Sequence, residues 1–167
     1  MPLYALDEKL ILFFKKISVP VARFGLFVVF FWFGTLKVAG MSPASPLIQS
    51  LFSETISFIS FSQFILLFGL FECLIGILFL IPGLERVVIP LLFLHMITTF
   101  MPLFILPEET WEQFMVPTLE GQYIIKNLVV IAAAIGIAAR NAVTTQGSAL
   151  SFSGPTMAIC SALVSLC

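Results

Sequence analysis

Apolar residues gather into four long runs separated by short polar or proline-containing breaks, at residues 19–39, 63–82, 86–106 and 122–139. Each is close to the ~20 residues that carry a helix across a hydrocarbon core of ~30 Å. Backbone groups in lipid must find partners internally, and the runs lack the in–out alternation of a barrel strand, so all four predict helices. The expected fold class is all-α: one four-transmembrane-helix bundle over residues 1–140, followed by a flexible C-terminal tail over residues 141–167. The second run contains Glu72. A central carboxylate costs about 3 kcal/mol on insertion scales and each Leu, Ile or Phe returns roughly 0.3–0.6 kcal/mol. The many such residues between Gln63 and Pro82 therefore still favour insertion.

The stretches outside these runs have characters of their own. Residues 3–17 read as a short amphipathic helix on the inner membrane surface, with Lys15 and Lys16 near anionic headgroups. After the first run, Ser42-Pro43-Ala44-Ser45-Pro46 is a turn. Leu51, Phe52, Ile56 and Phe58 beyond it are too apolar for a free loop, which predicts an interfacial helix or a cap over the mouth of the bundle.

Charge placement supplies an orientation. Lys9, Lys15, Lys16 and Arg23 precede or open the first run, Arg86 sits between the second and third, and Arg140 closes the fourth. The other two connections hold no Lys or Arg but contain Glu54, Glu108, Glu109, Glu112 and Glu120. The excess of positive charge on cytoplasmic loops predicts that both termini and the Pro82–Gly83 turn face the cytoplasm. A bacterial cytoplasmic membrane, crossed several times, is the expected location.

Composition agrees with lipid as the solvent. The 167-residue chain is 60% hydrophobic and 10% charged, against about 45–50% and 25% in a soluble domain. A net charge of -1 provides no basic field, so nucleic acid is not an expected partner. Cys73, Cys160 and Cys167 form neither a CxxC nor a metal-ligand spacing, so no disulfide framework and no metal site is expected.

Polar residues inside apolar spans mark functional sites, because each one costs insertion energy. Here they fall on stripes. Gly69, Glu72, Cys73 and Gly76 share one helix face, and its small residues allow a neighbouring helix to approach closely with Glu72 facing the bundle. Arg23, Phe27, Phe30, Gly34 and Lys37 line the first span, and His95, Thr98, Thr99 and Pro102 the third. Tyr123, Lys126 and Asn127 form a polar patch on the fourth, expected to face inward. At ~1.5 Å per residue, Glu72 and His95 lie about 13–14 Å into their spans, near the bilayer midplane. Glu72 and His95 are the candidates for proton transfer. Lys37, Lys126, Asn127, Tyr123 and Gly34 are the candidates for binding a substrate. Rival structural readings pair Glu72 with Lys37 or Lys126, or let Lys37 snorkel outward. Arg23 reads as an inner-interface anchor, Trp32 as a packing residue and Trp111 as an interface anchor.

The motifs Arg23-x-Gly25 and Trp32-Phe33-Gly34-x-x-Lys37 resemble the first helix of the DoxX-like group of small four-helix membrane proteins. Phe71-Glu72-Cys73-Leu74-Ile75-Gly76, ending in Ile81-Pro82-Gly83-Leu84, resembles that group's Glu-containing helix and Gly turn. Gly121-Gln122-Tyr123-Ile124-Ile125-Lys126-Asn127-Leu128 is similar to the opening of its last helix. The branch most resembled holds reactive-chlorine-resistance membrane proteins. The resemblance implies a link to oxidative or sulfur redox processes, with Gly34, Lys37, Glu72 and Lys126 at the family's recurring polar positions.

Three functional expectations result. The first is a redox or oxidative-stress-associated membrane subunit whose polar intramembrane cavity takes a quinone-like or small oxidant molecule, with quinone as the candidate cofactor. Lys37 and Lys126 would hold its oxygen, and Glu72 with His95 would move protons. The second is a small proton-coupled transporter. The third is a non-catalytic scaffold subunit. Besides the lipid bilayer, a redox partner protein and a second copy of the chain are the partners these readings allow, and both catalytic and non-catalytic roles stay open.

Overall fold

A computed structural model describes residues 2–56 and 58–152. Its elements in chain order are α1 (Pro2–Val38), α2 (Ser45–Thr55), α3 (Phe61–Leu80), α4 (Glu85–Phe100), α5 (Pro102–Ile105), α6 (Pro107–Thr110), β1 (Trp111–Gln113), β2 (Val116–Pro117) and α7 (Leu119–Phe152). Four helical stretches are long and apolar enough to cross a membrane: Leu6–Val38, Phe61–Leu80, Glu85–Ile105 and Leu119–Arg140. The protein is thus a multi-pass, mostly helical membrane protein.

The helix ends follow from local sequence. Gly40, at φ 71°, closes α1: its N–H donates to Lys37 O and the Met41 N–H to Leu36 O. This Schellman arrangement needs the left-handed conformation that glycine adopts without strain. Ser60 opens α3 with a reciprocal capping box to Gln63. The turn into α4 runs through Gly83 at φ 92°.

Three elements differ from the expectation. Residues 3–17 do not form a separate surface helix: α1 runs unbroken through Pro20. A proline costs a helix interior one hydrogen bond. In the turn before Pro20, the Arg140 guanidinium donates to Lys15 O and Ser18 Oγ and ties α7 to α1. The third span is divided at Met101, because Pro102 has no N–H to continue α4. The acidic connection before α7 forms a two-stranded hairpin in which Trp111 pairs with Pro117. The connection after α1 carries the expected extra helix, α2, beside α3 and α5. Beyond Arg140, α7 continues to Phe152. The remainder of the expected tail, residues 153–167 with Cys160 and Cys167, lies outside the described residues.

All four spans contribute to the core, which comprises Leu26 and Phe30 of α1, Ile75 and Phe79 of α3, Val88, Leu92 and Met96 of α4, and Ala134 and Ile137 of α7. The closest pair is α1 against α3. A Cβ on Gly34 would lie 2.7 Å from Gly69 O and from Cys73 Sγ, and one on Gly76 would lie 2.9 Å from Phe31 N. Backbone therefore meets backbone along the small-residue stripe, as its spacing predicts. Outward faces carry large apolar side chains such as Phe24, Leu67, Leu94 and Val129, which suit lipid. Trp32 belongs with them at 65% exposure, not with the packing residues expected from the sequence. Trp111 is half-buried, and its indole N–H donates to Leu103 O.

Candidate functional site

At the interior of the bundle, Glu72 joins two other spans. Its Oε2 accepts from Lys37 Nζ at 2.5 Å, and its Oε1 lies 3.2 Å from His95 Nε2. The residues come from α3, α1 and α4, and all three are buried, at 5%, 7% and 4% exposure. Close approach of α1 to α3 at Gly34 and Gly69 is what brings Lys37 within reach. Gly34 thus has a packing role one turn from Lys37, and Lys37 Cβ itself lies 2.9 Å from the Cβ position of Gly69.

The direction of the lysine chain follows from helix geometry. Every Cα–Cβ bond leans toward the helix N-terminus. Lys37 stands in the last turn of α1, so its side chain leans back into the bundle and away from the surface beyond Gly40. The snorkelling alternative would run against that lean. Phe68 lies under the ammonium, with its ring centroid 5.6 Å from Nζ.

His95 sits among aromatic rings: Phe30, Phe68 and Phe71 have centroids 5.5, 5.0 and 6.1 Å from the imidazole. Thr98 and Thr99 both donate to His95 O, and Thr99 Oγ1 lies 3.4 Å from Nε2. His95 Nε2 thus has the Glu72 carboxylate and the Thr99 hydroxyl as its neighbours. Nδ1 is a buried side-chain polar atom without a partner among the described residues. The Lys37–Glu72 pair places opposite charges side by side, the arrangement a low-dielectric interior tolerates.

The fourth-span candidates are placed elsewhere. The inward face of α7 is set at its start by Gly121, where a Cβ would collide with Thr110 O, and by buried Ile124. Lys126 follows Ile124 by two residues, roughly 200° around the helix, and it is exposed. Tyr123 is 62% exposed, and Lys126 Nζ sits 4.9 Å from its ring centroid. Asn127 is half-buried and donates to Tyr123 O, within its own helix. The inward patch expected on this span is therefore an outward one, and Lys126 makes no ion pair with Glu72.

Arg23 is more than a surface anchor. Its Nη1 donates to Phe79 O at 3.0 Å and to Ile81 O at 3.4 Å, and its Nη2 pairs with Glu85. Glu85 Oε1 also accepts from Gly83 N at 3.2 Å. The guanidinium thereby satisfies carbonyls at the C-terminal end of α3, where the helix dipole favours a cation. Arg23→Met should lower stability by about 1–3 kcal/mol, read as a shifted unfolding transition in mixed micelles; an unchanged transition would show that this latch holds nothing. Sequence reasoning overlooked Glu85, Phe68 and the ring contact of Thr99. Glu85 alone carried a signal, an acidic residue in the first turn of a helix directly after a Gly turn.

Two surface grooves lie apart from the trio. One, of about 380 Å3, is apolar and runs between α4–α5 and α7, with Met96, Phe100 and Phe104 on one wall and Ile131 on the other. The second is lined by Ile59, Gln63, Leu66 and Leu67. Among the described residues no group of His, Cys, Asp or Glu has the geometry of a metal site.

Fold and site together define a multi-pass helical membrane protein with a buried Lys–Glu–His cluster. No family model, no curated protein and no solved structure matches the chain.

Proposed function

We propose that the protein is a redox-associated subunit of the cytoplasmic membrane, in which Glu72 and His95 exchange protons with a lipid-soluble, quinone-like molecule. The observation that carries this reading is the buried His95 Nδ1, left without a partner on an imidazole whose other nitrogen faces the Glu72 carboxylate. An imidazole so placed can accept a proton at Nδ1 and release one from Nε2 to the carboxylate. Lys37 balances the carboxylate while it is ionised. The resemblance to the DoxX-like group, through Gly34, Lys37 and Glu72, supports a redox association. The basic residues near the start of α1 and at Arg86 and Arg140 support an orientation with that end in the cytoplasm.

Quinone carried through purification in mild detergent, measured by mass spectrometry beside oxidant survival of cells, tests this. Glu72→Gln and His95→Gln, at normal expression, should each lower both by about tenfold or more. Wild-type values in both variants would reject the proposal.

A second reading, a scaffold held together by the ion pair, is favoured by the sealing of Lys37 and Glu72 from solvent. Exchanging the two charges, Lys37→Glu with Glu72→Lys, separates the two. A scaffold keeps its cellular function, whereas a proton-transferring carboxylate moved to α1 does not. A proton-coupled transporter, the remaining alternative, would show flux in liposomes.

A further inference from the structure

We propose that Lys126 and Tyr123 form a binding site for a zwitterionic phospholipid headgroup, one that joins a phosphodiester to an ammonium. Both residues lie within an apolar span and both face away from the bundle. Lys126 stands seven residues into α7, ~10 Å along its axis. Its side chain leans toward the N-terminal end of α7, which here means toward the membrane surface. The ammonium comes to rest 4.9 Å from the centroid of the Tyr123 ring, one turn nearer that surface.

The ring covers one side of the ammonium, and Lys126 is otherwise exposed. Among the described residues Lys126 has no ion pair, in contrast to Lys37, the other lysine at this end of the bundle. An ammonium facing hydrocarbon is costly unless an anion meets it, and a phosphodiester at the headgroup level is the anion that a membrane supplies. Tyrosine suits the same level, with an apolar ring and a polar tip.

Charge at this end of the bundle decides the headgroup. Glu108, Glu109, Glu112 and Glu120 are exposed on the hairpin connection and the first turn of α7. These four carboxylates outnumber the one exposed cation, so this end of the molecule as a whole disfavours a headgroup of net negative charge. It complements a zwitterion, whose phosphate meets Lys126 while its ammonium turns toward the glutamates. The lysine that the sequence marked for a substrate oxygen thus meets a lipid oxygen, independently of the redox reading.

Native mass spectrometry of the full chain tests this, with the protein exchanged into mixed micelles containing phosphatidylethanolamine, phosphatidylglycerol or soluble glycerophosphoethanolamine. Wild type should retain phosphatidylethanolamine about tenfold better than phosphatidylglycerol, and Lys126→Ala should remove about that factor. Lys126→Arg should keep the lipid. Undiminished retention by Lys126→Ala would overturn the site. So would loss in the Arg variant, equal retention of phosphatidylglycerol, or equal binding of the soluble headgroup.

Discussion

Glu72→Ala is expected to remove about 3–5 kcal/mol from the folded bundle, because it strands the Lys37 ammonium without its partner in a closed interior. Lys37 lies in the last turn of α1 with 7% exposure, so it has little water to turn to. The loss should appear as a lowered unfolding transition in mixed micelles. The double variant Lys37→Met with Glu72→Leu removes both charges and leaves apolar groups of similar volume. It should match the wild type or exceed it by ~1–4 kcal/mol. On the proposed function, stability and activity would then part company: the double variant folds, yet it has no carboxylate to exchange protons with His95. A double variant as unstable as Glu72→Ala would show that the damage comes from lost packing and not from an unpaired charge.

Gly34→Leu and Gly76→Leu should each cost about 3 kcal/mol or more, by forcing α1 and α3 apart. The Cβ positions of these glycines lie 2.7–2.9 Å from opposing backbone atoms, which cannot swing aside as a side chain can. Gly25→Ala is the matched control. Nothing lies within 4 Å of its Cβ position, so the substitution should be neutral or slightly stabilising. Folded yield and unfolding midpoints of the three variants decide the matter. Equal behaviour of Gly25→Ala and Gly34→Leu would mean that the close helix contact carries no energy. Spreading the helices should also draw Lys37 away from Glu72, so Gly34→Leu is expected to impair any function that depends on the pair.

Much of this organisation is legible along the chain. The four apolar runs identify the spans, since only a helix satisfies its backbone within lipid. The spacing of Gly69, Glu72, Cys73 and Gly76 marks the contact face of α3, and the same periodicity places Arg23, Phe30, Gly34 and Lys37 on the inward face of α1. The polar stripe of α4 likewise faces inward, with His95 and Pro102 buried. Less legible were the unbroken passage of α1 through Pro20 and the hairpin at Trp111, because contacts outside the local pattern accompany each: Arg140 of α7 on the turn before Pro20, Leu103 of α5 on the indole of Trp111.

The two lysines at the acidic end of the bundle show where sequence stops. Both sit near the end of an apolar run, and both had an equal claim on Glu72. Sequence alone determined that an ammonium and a carboxylate lie inside lipid-solvated helices, because charge and hydropathy are properties of the chain. Tertiary structure decided which ammonium the carboxylate receives. Lys37 is at the C-terminal end of its helix, so its side chain leans inward, and the α1–α3 glycine contact brings Glu72 to meet it. Lys126 is near the N-terminal end of a helix running the opposite way, so the same lean carries it outward, and the seating of Gly121 against Thr110 turns it away from the core. Helix direction and rotation arise from packing between elements, and no local pattern encodes them.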